Sequence, residues 1–146
     1  GPLFVSTPFR LLLPRQFHSA MLDQAQAELP NECCGLLAGR IADDVGRVEM
    51  CYPLVNEKAS PREYSAEAKS LIAAHKDMHR RGIRELGIYH SHPTSDPVPS
   101  KTDLERNYYG LEVVFLIIGV KDLQPELRVW WLSESDFFEA DWQVVE

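Results

Sequence analysis

A chain of 146 residues, 45% hydrophobic and 25% charged, has the make-up of one soluble globular domain long enough to bury a continuous core. Its formal net charge of -7 argues against a nucleic-acid partner, whose phosphates are gripped by clustered Lys and Arg. The longest apolar run, Val113–Val120, is far short of the ~18 residues that cross a bilayer, so no membrane partner is expected.

One domain is expected over residues 1–146, with residues 1–10 set aside as tag-derived or as a loose N-terminal arm, because Gly1-Pro2 resembles a cleavage scar. Phe17 to Leu29 reads as a helix, with Phe17, Met21, Ala25 and Leu29 at i, i+4 spacing and Pro30 ending it. Two strands follow, 33–40 and 45–54, joined by a polar turn at Asp43-Asp44. The loop "NEKASPREY" leads into a second helix, Ala66 to Arg81, which Gly82 closes; its basic end, His79 to Arg81, suits the helix dipole. Arg84 to Tyr89 is a short strand, and Pro93 to Ser100, with three prolines, is a loop. "DLERNYY" (103–109) reads as a short helix, and 113–120, 127–132 and 137–144 as three more strands. The fold class is therefore α/β (α+β), a mixed β-sheet flanked by two or three helices.

His90 and His92 lie two residues apart at the end of a predicted strand, so alternation puts both imidazoles on one face. The proline-stiffened loop after them returns the chain to Asp103. Two imidazoles and one carboxylate leave a fourth tetrahedral position for water, the arrangement of a catalytic zinc; imidazole favours zinc over magnesium or calcium. Ser100-Lys101-Thr102-Asp103 also matches a helix-capping box, so Asp103 either only caps a helix, or points at the ion while Ser100 caps. A second pair, His75 and His79, has zincin spacing, but Lys76 stands where that motif needs its glutamate, and the pair reads as helix surface.

A zinc-activated water needs a base. Glu32, at the start of the first predicted strand, is the candidate, its carboxyl raised by partial burial; on spacing alone Glu28, Glu57 and Glu85 compete with it. Cys33 and Cys34 beside it invite a fourth ligand or a redox switch. A thiolate there would close the site to water, and alternation sends one inward as core and the other outward. Three cysteines, two of them adjacent, make no secreted disulfide framework, and a cytoplasmic location is expected.

Taken together, Glu32-Cys33-Cys34-Gly35-Leu36-Leu37-Ala38-Gly39 and His90-Ser91-His92-Pro93 with Pro99-Ser100-Lys101-Thr102-Asp103 resemble the JAMM, or MPN-plus (JAB-domain), metallopeptidases of compact bacterial type. Every position of E…H-x-H-P…P-S-x-x-D is filled, and the likeness runs over nearly the whole chain. The resemblance implies a cytidine-deaminase-like fold, one Zn2+ per chain on His90, His92 and Asp103, Glu32 as general acid/base and Ser100 as a donor to the oxyanion. It further implies a peptidase or isopeptidase that hydrolyses an amide at the C-terminus of a ubiquitin-like or sulfur-carrier protein. Ser91 should face away from the ion as a structural residue. The rival reading is a non-catalytic zinc-containing binding module of the same fold. A zinc deaminase fits poorly, since neither its H-x-E element nor its P-C-x-x-C pair is present. The stretch "RVWWLSESDFF" raises a possible homodimer face or simply a core strand, with at least one of its adjacent tryptophans pointing outward.

Overall fold

The computed structural model describes residues 7–146. In chain order the elements are β1 (Arg10–Pro14), α1 (Arg15–Ala27), β2 (Cys34–Ala42), β3 (Val45–Leu54), α2 (Ala68–Arg81), β4 (Arg84–His92), α3 (Lys101–Glu105), a 3₁₀ turn (Gly110–Glu112), β5 (Val114–Gly119), β6 (Glu126–Leu132), β7 (Phe137–Glu139) and β8 (Trp142–Val145). The eight strands form one mixed sheet in the order β7-β6-β5-β4-β2-β3-β1-β8. β4 runs parallel to β5 and antiparallel to β2, placing Cys34 opposite His90 and His92 opposite Gly119.

The expected α/β class and its three helices are found. The β2–β3 hairpin turns at Asp43 and Asp44, whose φ values of 53° and 59° give the doubly left-handed turn that matches strand twist. α2 ends at Gly82, whose φ of 68° only glycine adopts without cost.

Two corrections concern the chain ends. β1 was not expected, because Phe9 and Arg10 fell among the residues set aside; Phe9 is 2% exposed and Leu11 pairs with both β3 and β8. The strand expected over 137–144 is two strands on opposite edges of the sheet. Only Ala140 and Asp141 lie between them, and so short a link spans roughly 10 Å, so the sheet is curled until its edges nearly meet. Smaller shifts are that α1 begins two residues earlier than expected and that α3 starts at Lys101, directly behind its Ser100 cap.

Both faces of the sheet are covered. Met21 and Ala25 of α1 pack on Leu37, Tyr89, Leu116 and Trp131, while Ala74 and Met78 of α2 pack on Leu36, Ala38 and Leu54. A third cluster, Phe115, Ile117 and Trp130, lies beneath Val98 and Leu104. Double cover explains why β5 is buried along its whole length, as a near-continuous apolar run should be. It also corrects two expectations of outward-facing side chains. Trp130 and Trp131 are 5% and 1% exposed, and Cys33 and Cys34 are 0% and 1% exposed. The apolar residues that raised a homodimer face at 128–138 are packed within the chain itself.

Candidate metal centre

β4 continues through both histidines, so His90 and His92 project from one face at its C-terminal end, next to the start of β2. Pro97 rests on Gly119, and the Trp130 indole donates to the Pro97 carbonyl at 3.0 Å, which pins the loop that brings the chain back. That loop delivers Ser100 and Asp103 as a capping box. The Ser100 hydroxyl accepts from the Asp103 amide at 3.1 Å, and the Asp103 carboxylate accepts from the Ser100 amide at 2.8 Å. Capping and facing the histidines coexist. Asp103 Oδ1 lies 3.1 Å from His90 Nε2 and Oδ2 lies 3.3 Å from His92 Nε2, while the two Nε2 atoms are 3.1 Å apart.

These separations test whether the residues fit a metal. Donors about 2.0–2.1 Å from a tetrahedral ion stand about 3.3 Å from one another, which is the edge this triangle shows. Among the described residues, it is the one group of three His, Cys, Asp or Glu side chains whose ligand atoms meet. Burial works against the Asp103 carboxylate, yet the His90 charge and the bonds from both histidines outweigh it and hold the carboxyl well below its usual range. His92 is likewise desolvated, but Asp103 and the Asp96 carbonyl oxygen raise its pKa above the usual value. The donor set is preorganised for a cation.

Glu32 stands just before β2, 4% exposed, and lines the same 380 Å³ cleft as His90, His92, Asp103 and Ser100. Burial pushes its carboxyl up to about 7, reinforced by Asp103 and Glu63 and opposed by His92 and Arg106. Its rivals are elsewhere. Glu28 accepts from Gln24 on α1, Glu57 is exposed, and Glu85 pairs with His75 at 3.0 Å at the far end of β4. His75 thereby keeps its helix-surface role. The Cys33 and Cys34 thiols are pushed up to about 12 by burial, so both stay protonated, and neither joins the ligand group.

The sequence pattern did not single out the opposite wall, residues 56–66. Asn56 organises it, since its side chain accepts from the Lys58 and Ser65 amides and donates to the Glu32 and Glu63 carbonyls. Tyr64 from this wall stacks on His90, and Arg106 donates to the Tyr64 carbonyl at 2.9 Å. Tyr64, Arg106 and Phe115 also line an adjoining 510 Å³ groove, whose other walls include Leu36, Leu54 and Leu71. Spacing marks this wall only as a loop of unusual length carrying Pro61 and Tyr64 between two regular elements.

Comparison with known proteins agrees with this layout. The family model for prokaryotic homologues of the JAB domain matches residues 14–133. A Haloferax volcanii desampylase is 36% identical over 68% of this chain and 74% of its own. A Mycobacterium tuberculosis CysO-cysteine peptidase is 30% identical over 96% of this chain and 94% of its own. The solution structure of a Desulfitobacterium hafniense protein superposes with a TM-score of 0.83 at 32% identity, covering 93% of each chain. A Salinibacter ruber solution structure gives 0.66 at 26% identity, covering 92% of this chain and 91% of its own. With its motif intact and the match running from α1 through β6, the chain belongs to the prokaryotic JAB-domain family of JAMM-type peptidases.

Proposed function

We propose that the protein is a zinc-dependent peptidase or isopeptidase that hydrolyses an amide bond at the C-terminus of a ubiquitin-like or sulfur-carrier protein. The observation that carries this reading is the triangle of His90, His92 and Asp103 with a buried Glu32, its carboxyl pushed up to about 7, in the same cleft. One zinc per chain, held by the two Nε2 atoms and the Asp103 carboxylate, would supply Lewis acidity for the scissile carbonyl and for the attacking water.

The remaining work falls to the chain. Glu32 takes a proton from the water on its carboxylate and hands it to the leaving nitrogen, a task suited to a group titrating near neutrality. Ser100 uses a lone pair for its cap, so its O–H is left to donate to the carbonyl oxygen as charge develops there. The groove beside the cleft receives the extended tail of the carrier: apolar walls bury its side chains, and the tail passes Tyr64 and Arg106 to reach the histidines. The names of the relatives support this substrate class, among them desampylases, a CysO-cysteine peptidase and a probable TtuB-protein conjugate cleaving protease from Thermus thermophilus. Free thiols at Cys33, Cys34 and Cys51 support a cytoplasmic setting, and no helix among the described residues is long and apolar enough to cross a membrane.

The test is elemental analysis of the purified protein together with cleavage of carrier proteins bearing C-terminal extensions. Expected are one zinc per chain, cleavage abolished by chelator with the fold retained, and Glu32→Gln that keeps zinc and loses turnover. Stoichiometric zinc with no cleavage of any carrier would favour the binding module instead, and absence of zinc would sink both.

A further inference from the structure

The two histidines are oriented by different means. His92 Nδ1 lies 2.8 Å from the Asp96 carbonyl oxygen. A carbonyl only accepts, so Nδ1 carries a proton, the ring is fixed in orientation, and Nε2 is the nitrogen turned to the centre. His90 has no such anchor. Its side chain is 2% exposed, and its Nδ1 is buried without a hydrogen-bond partner among the described residues. What bears on its ring is Tyr64, with centroids 4.9 Å apart and planes 25° from parallel.

Tyr64 is itself held with care. Its carbonyl accepts from Arg106 at 2.9 Å, the Glu63 carbonyl before it accepts from Asn56 at 3.3 Å, and the Ser65 amide after it donates to Asn56 at 2.9 Å. A further bond from Asn56 to the Glu32 carbonyl, 3.0 Å, ties the same wall to the segment just before β2. Three backbone bonds around one residue fix where its ring stands, and that ring stands on a ligand.

We propose that Tyr64 is a positioning residue for the metal centre, its ring holding the plane of His90 in the way that the Asp96 carbonyl holds His92. Loss of an outer-shell partner typically weakens metal binding about 10–100-fold, because the ligand must be ordered when the ion arrives. The phenol hydroxyl has no part in this, so a flat ring is sufficient. The inference rests on the metal reading only in taking His90 as a ligand.

The test measures affinity rather than activity. Metal-free wild type, Tyr64→Phe, Tyr64→Leu and Tyr64→Ala are titrated with Zn2+ against a competing chelator, and with Co2+, whose visible bands report ligand geometry. Expected is affinity within about twofold of wild type for Tyr64→Phe and about 10–100-fold weaker for Tyr64→Leu and Tyr64→Ala, with altered Co2+ bands. Thermal unfolding of the metal-free proteins separates this from loss of fold, and if the alanine variant does not fold, the Phe and Leu pair decides. Wild-type affinity and bands in Tyr64→Ala would overturn the proposal, as would full recovery in Tyr64→Leu, which supplies bulk without a flat face. A wild type that binds neither ion overturns the metal reading itself and the inference with it.

Discussion

Ser91 and Cys33 are bonded in both directions: the Cys33 amide donates to the Ser91 hydroxyl at 2.8 Å, and the Ser91 amide donates to the Cys33 carbonyl at 3.2 Å. Ser91 lies between the two histidines but on the opposite face of β4, and Cys33 follows Glu32 directly. This buried pair therefore sets the position of the glutamate against that of the ligands. Ser91→Ala leaves the Cys33 amide without its acceptor, and its loss should cost about 1–3 kcal/mol in a denaturant melt. Zinc should stay bound while turnover falls, since His90 and His92 keep their places and Glu32 loses its anchor. Unchanged stability would show that the bond carries nothing.

Glu32 predicts a pH dependence with a definite sign in the metal-free protein. Its carboxyl titrates near 7 when folded, against an ordinary value of 4.5, chiefly through burial. The folded state thus binds the proton more tightly than the unfolded chain does. Ionisation costs nothing below pH 4.5, progressively more between 4.5 and 7, and its full penalty above 7. Glu32→Gln removes that penalty, so above pH 7 the variant should be more stable than wild type by about 1–3 kcal/mol, discounted for the open cleft. Below pH 4.5 the two should melt alike. A gap that grows toward low pH would contradict the assignment.

How far the sequence carries this fold depends on the range of each signal. His90, His92, Ser100 and Asp103 were legible because strand alternation, proline stiffening and a capping pattern are local, and a known motif joined Glu32 to them. The Asp43-Asp44 turn and the Gly82 stop were legible for the same reason. Which glutamate enters the cleft was not legible from spacing, and only the motif singled out Glu32. That depends on β2 lying beside β4 with Cys34 opposite His90, a pairing between residues far apart in the chain. The break between Glu139 and Trp142 was equally hidden, because a three-residue strand that changes sheet edge has no composition of its own. Tyr64 and Asn56 sit in a loop whose bonds run to Arg106 and Glu32, and no spacing rule reports such contacts.

Gly35 is a sharper prediction of stability. It pairs with Tyr89 across β2 and β4, and a Cβ there would lie 2.1 Å from the Tyr89 ring. The ring has little room to yield, since its hydroxyl donates to Gln24 on α1 at 2.5 Å and lies 3.6 Å from the Cys51 sulfur. Gly35→Ala must either displace Tyr89 or part the strands, at a cost of about 3 kcal/mol or more, toward the upper end for overpacking. The expected outcome is an insoluble or strongly destabilised protein, read as yield and melting temperature. A variant that melts with wild type would mean that the β2–β4 spacing is wrong.

Ser100 separates structure from chemistry at one side chain. Its oxygen accepts from the Asp103 amide as a helix cap, while its hydroxyl proton is the proposed donor to the substrate oxyanion. Ser100→Ala removes both, so stability should fall by about 1 kcal/mol for the lost cap and the rate by about 100-fold or more for the lost donor. Ser100→Asp restores an acceptor suited to the cap but supplies no proton near neutrality. It should melt close to wild type and remain as slow as the alanine variant. Ser100→Thr restores both groups and should recover both properties, measured as kcat with a carrier bearing a C-terminal extension. If Ser100→Asp turned over like wild type, the hydroxyl proton would have no part in the reaction, and Ser100 would be a cap alone.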